Sequence, residues 1–134
     1  MKAQVSVEYL SVISFVTLLA IPLVIIYYTY VTNSSEEIIT SQLNQIASRI
    51  VDAAESVYFL GEPSQTTIKV YMPGQVVGAS LNNKEVLFNV SVKGGISEIV
   101  QVSSVNLSGG LPITKGTYTI TLKARSADVE VSYK

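Results

Sequence analysis

Positions 9 to 35 carry no charged residue, and the run opens almost at the start of the chain, directly after Glu8. It reads from Tyr9 through Pro22 to Val31 and closes in Thr32-Asn33-Ser34-Ser35. A bilayer-crossing helix needs about 20 predominantly apolar residues, and this run is long enough. A secretory signal has a shorter apolar segment followed by a small-residue cleavage site, and neither condition is met here. Lys2 precedes the run and Glu36 and Glu37 follow it. The positive-inside rule therefore places the amino end in the cytoplasm and the rest outside. The odd feature is Glu8, because a carboxylate at the rim of a membrane helix is costly and needs a partner.

Composition narrows the remainder. With 134 residues, one small domain plus a stem is the expected organisation. The net charge of −1 offers no basic stripe for nucleic acid. There is no cysteine, so no disulfide framework and no thiolate metal site. There is no histidine either, which removes the commonest general base and metal ligand. The acids Glu85, Glu98, Asp128 and Glu130 are scattered and read as surface charges. No enzyme activity, cofactor or metal is expected.

The segment Lys2-Ala3-Gln4-Val5-Ser6-Val7-Glu8-Tyr9-Leu10 resembles the class III signal peptide of archaeal type IV pilin-like proteins. That pattern is a basic residue, a small residue, then Gln-x-Ser-x-Glu-Tyr/Phe-Leu heading a long apolar helix. The likeness covers these residues and, through the helix, extends to about residue 60. The resemblance implies that a membrane prepilin peptidase cuts between Ala3 and Gln4. It also implies that the trimmed chain polymerises through its helix with the help of a membrane assembly machine, and that the filament serves surface adhesion. The Gly- and Ile-rich start usual in archaellins is absent.

Elementary chemistry supplies a reason for Glu8. Cleavage would expose an α-amine with a pKa near 8, mostly protonated at neutral pH. The amine of one subunit then meets Glu8 of an axially staggered neighbour and fixes the register of assembly. The alternative is a Glu8 solvated at headgroup level.

Pro22 removes one helical hydrogen bond and favours a kink, or is simply a tolerated membrane proline. Tyr27, Tyr28 and Tyr30 suit a membrane–water boundary or packing between neighbouring helices. Ser34-Ser35-Glu36-Glu37 reads as a cap opening a new helical segment. Ile39, Leu43, Ile46, Ile50, Ala53 and Val57 then form an a/d stripe. It suits a short coiled coil or, better for its second half, a helix laid on a sheet. Gly61-Glu62-Pro63 ends the helix. A helix from Gln4 to Leu60 would run about 85 Å, more than any bilayer requires.

Beyond Pro63 β-branched and polar residues alternate. Strands are expected at 67–72, 75–81, 88–93, 96–105, 117–124 and 128–133, with turns at Pro73-Gly74, Asn82-Asn83, Gly94-Gly95 and Ser108-Gly109-Gly110. The fold class is therefore α+β: a leader at 1–3, a stem helix at 4–60, and a small antiparallel β-sandwich over 64–134. Asn33, Asn89 and Asn106 head Asn-x-Ser sequons and are candidate glycosylation sites, or plain surface asparagines. Thr117, Thr119 and Thr121 form an adhesive or glycosylated row, or more simply the solvated side of a strand. The leading expectation is a structural pilin subunit forming a homopolymer on the cell surface, inserted in the cytoplasmic membrane beforehand. The alternative is a membrane-anchored extracellular binding module, or a minor pilin outside the filament body.

Overall fold

The computed structural model describes residues 2–134; for Lys2 and Ala3 only the backbone is described, and Met1, the first residue of the expected leader, lies outside. The protein has one long helix and seven strands among the described residues, an α+β architecture. Helix α1 spans Lys2–Leu60. The strands are β1 (Gln65–Met72), β2 (Val76–Asn82), β3 (Glu85–Val92), β4 (Gly95–Val102), β5 (Leu107–Gly109), β6 (Gly116–Ala124) and β7 (Val129–Tyr133). Contacts divide the chain into two units, one ending at Glu37 and one running Ile38–Lys134. The last turns of α1 thus belong with the strands.

The helix is continuous where the serines were read as a cap. Ser35 Oγ donates to the Val31 carbonyl four residues back, at 3.0 Å, instead of capping a new segment. A serine bonded this way has its hydroxyl spent on the preceding turn. The helix stops at Gly61, whose φ of +81° is the left-handed conformation a C-terminal glycine supplies. The Gly61 N–H donates to Tyr58 O at 3.0 Å.

In the second unit, Leu43, Ile46, Ala47, Ile50, Val51, Ala54 and Val57 are buried, while Ile39 and Ala53 pack at the margin. The buried stripe is wider than an a/d seam, because a sheet offers a flatter partner than a second helix. The helix therefore packs on the β core within its own unit, as the second half of the stripe predicted.

The strands form two sheets, ordered β1-β6-β7-β5 and β2-β3-β4. Alternation predicts the inward faces well. Val70 and Met72 of β1, Val86, Phe88 and Val90 of β3, Ile120 and Leu122 of β6, and Val129 and Val131 of β7 are all buried. Tyr133 departs from the pattern: it is half exposed and stands edge-on to Tyr118 at 5.9 Å.

Two strand expectations are corrected. The segment Ser108-Gly109-Gly110, read as a turn, contributes to β5, which runs parallel to β7. The β region is therefore not wholly antiparallel. The strand expected over 96–105 ends at Val102. There the chain turns through Ser103, whose N–H bonds Lys84 O at 2.6 Å, and Ser104 is captured by α1.

That capture is made by Glu55, which accepts from Ser104 N at 2.8 Å and from Ser104 Oγ at 2.9 Å. The backbone bond, then the hydroxyl bond, hold the Glu55 carboxyl below its usual range against a smaller opposing cost of desolvation. A carboxylate with a lowered folded pKa stabilises the fold above its unfolded pKa of about 4.3, and that stabilisation disappears as pH falls through the folded value. Glu55→Gln accordingly melts below the wild type at neutral pH. The two melting curves converge as the solution is acidified past the carboxylate range. Thermal melts of the full chain in detergent across pH 2 to 7 would detect this; a gap that persists at the acid end contradicts it.

Candidate functional site

The surface that demands explanation is the amino-terminal half of α1. Every side chain from Gln4 to Val31 is exposed. Leu10, Phe15, Leu18, Ile26 and Tyr28 are each about two-thirds exposed or more. The helix is apolar all round rather than amphipathic, so no single face is reserved for water. A soluble monomer does not carry so much contiguous apolar surface. The helix is long and apolar enough to cross a membrane, which is compatible with membrane anchoring or a signal sequence.

Four hydroxyls on this stretch of α1 are satisfied by the helix itself. The hydroxyls of Ser11, Thr17, Thr29 and Thr32 donate to the carbonyls of Val7, Ile13, Ile25 and Tyr28 at 2.7 to 2.9 Å. A hydroxyl satisfied by its own helix can enter lipid or a protein interior without losing a partner.

The residues singled out in the sequence fall as follows. Ala3 and Gln4 lie in the first turns of α1, and Glu8 is exposed one turn beyond Gln4. Pro22 is inside the helix and the helical assignment runs through it. Ile13, Ser14, Thr17, Leu18 and Ile21 border a shallow depression beside Pro22. Asn33 is exposed on α1 in the first unit. Asn89 is half-buried in β3, the central strand of its sheet. Asn106 is exposed just before β5, while the hydroxyl of Ser108, the third residue of its sequon, is buried without a hydrogen bond. Thr117 and Thr119 are exposed and Thr121 half-buried on β6. The structure does not gather these residues into one site.

In the second unit, a groove between α1 and β1 is lined by Gln42, Gln45, Ile46, Arg49, Lys69 and Tyr71. Sequence reading missed it, giving neither Lys69 nor Arg49 a role. Only the strand order, which makes β1 an edge, brings the two cations to one groove. No cluster of His, Cys, Asp or Glu suited to a metal occurs among the described residues.

Comparison with known protein families, with curated proteins and with solved structures finds no match to the chain.

Proposed function

We propose that this chain is the structural subunit of an archaeal type IV pilus-like filament. The observation that carries the reading is the unbroken exposure of the apolar helix from Gln4 to Val31, with one carboxylate, Glu8, a turn from its start. A membrane covers such a helix before assembly, and neighbouring copies cover it afterwards. Lipid is as apolar as the helix, so leaving it gains little from area burial; helix packing and polar pairing must favour the polymer. The self-satisfied hydroxyls lower the cost of exchanging one apolar surrounding for the other.

In this reading a prepilin peptidase removes residues 1–3 and Gln4 becomes the amino terminus. The helices form the filament core. The two sheets, packed as a sandwich with the last turns of α1, face outward and carry any glycans at Asn89 or Asn106, while a glycan at Asn33 would sit on the helix. Adhesion to surfaces is the use, and no catalysis is involved.

The test is electron microscopy of material sheared from the cell surface, with mass spectrometry of the subunit's amino terminus. Filaments whose subunit begins at Gln4 are expected. A subunit retaining Met1-Lys2-Ala3, or a trimmed monomer that stays in the membrane, overturns the proposal. The second of these outcomes would favour the anchored binding module, for which the Arg49–Lys69 groove is the natural ligand site.

A further inference from the structure

Two sheets present four edges: β1 and β5 in one, β2 and β4 in the other. Two of these lie against each other. β2 neighbours β5, and Leu107 N at the start of β5 bonds Asn83 O beside β2. That leaves β1 and β4.

β4 is an unusually bare edge. It is eight residues long, pairs only with β3, and contains neither lysine nor proline to discourage a further strand. Its outward residues are Ile96, Glu98, Val100 and Val102, all exposed, with Ile96 at 71% and Val102 at 64%. Such an edge is a template for pairing with another chain.

The β1 edge is of opposite character. It carries Lys69 and borders the groove that also presents Arg49 and Tyr71. Neither cation has an ion pair among the described residues, where the salt bridge found is Arg125–Glu130. Asp52, one turn along α1 from Arg49, is exposed and does not bridge it.

We infer that β4 of one copy docks along the α1–β1 groove of a second copy, with Glu98 against Lys69 and Arg49 and the apolar residues of β4 against Tyr71. Charge selects this pairing over its rivals. β4 against β4 brings Glu98 towards Glu98, and β1 against β1 brings Lys69 towards Lys69; like charges facing across strands are unfavourable. The crossed pairing neutralises both. Because the two surfaces differ, the contact is head-to-tail and propagates rather than closing on a dimer. It deepens the filament reading and rests on it: the β domains, as well as the helices, would join copy to copy.

The chain has no native cysteine, so a disulfide can report the contact directly. Tyr71 and Val100 are both exposed, and replacing them keeps Lys69, Arg49 and Glu98, the charges that select the contact. The full chain carrying both Tyr71→Cys and Val100→Cys, oxidised in the host's membranes and sheared filaments, is expected to give a ladder of dimers, trimers and longer products on a non-reducing gel. Each single cysteine variant is expected to remain monomeric. On the unsubstituted chain, a carbodiimide is expected to join Glu98 to Lys69 of another copy, identified by mass spectrometry of the cross-linked peptides. Absence of the ladder together with absence of the carbodiimide product overturns the contact, and so do dimers of Val100→Cys alone. Filaments without either cross-link reject this contact and leave the pilin reading standing. A ladder from chains that form no filament supports the contact and rejects the pilin reading.

Discussion

Glu8→Ala is expected to abolish surface filaments while the chain still enters the membrane. Alanine is a better helix former than glutamate and removes a charge from an apolar segment, so insertion is unhindered or improved. What is lost is the partner for the α-amine that the proposed cleavage before Gln4 would create. In a packed core of helices each new subunit would then bury an amine with nothing opposite it. Breaking one side of a buried ion pair costs about 3–5 kcal/mol. The penalty recurs at every subunit, so the polymer suffers far more than any single chain. Membrane fractionation and electron microscopy of sheared material separate the two effects. Normal filaments from the alanine variant would remove Glu8 from the mechanism. Glu8→Gln refines the test: it keeps the shape and a hydrogen-bonding oxygen but not the charge, so filaments restored by glutamine would assign the role to hydrogen bonding alone.

The second large effect is expected at Gly109. Its φ is +110°, and a Cβ there would overlap the carbonyl oxygen of Val131 on β7. Gly109→Ala thus meets two costs. The backbone conformation costs about 1–3 kcal/mol in a residue with a side chain, and relieving the overlap costs about 1–3 kcal/mol more. β5 has three residues and little to spare, so its pairing with β7 should open. For a folded unit of this size the loss corresponds to a fall in melting temperature of about 10 °C or more. Calorimetry or circular dichroism of the full chain in detergent measures it, with Gly94→Ala as the comparison, since a Cβ at Gly94 meets nothing within 4 Å. Equal melting of the two variants would argue against the parallel β5–β7 pair.

Gly109 also marks where sequence reading fell short. Leu107-Ser108-Gly109 has no alternation to detect, and a serine followed by two glycines carries the composition of a turn. Its strand character comes from β7, about twenty residues further on, and a pairing between distant segments leaves no local signature. The longer strands were legible because each buries one face: Val90 between Asn89 and Ser91, or Ile120 between Thr119 and Thr121, is a contrast any window reveals. On the helix the heptad reading found Leu43, Ile46, Ile50 and Val57 but not Ala47, Val51 and Ala54, because steps of four and three pass over the positions that flank the seam. Ser34-Ser35 misled for another reason: a cap and a back-bonded serine share one composition, and only the path of the preceding turn distinguishes them.

The site divides in the same way. Glu8, Pro22 and the apolar run are contiguous in sequence and visible there. The groove joining Arg49 to Lys69, and the bareness of β4, depend on which strands end up outermost, a property of the finished sheet order.

The placement of β7 bears on how the protein is made. It is the last strand in the chain, yet it lies inside its sheet, between β6 and β5. Until Tyr133 has left the ribosome, β5 has no neighbour in that sheet, and β6 has only β1. On the filament reading, a nascent subunit would therefore reach the lipid with its oily rod finished and its β domain still open. Threading across the membrane would be eased by this order of events, because the cooperative unit would lock only once β7 arrives on the far side.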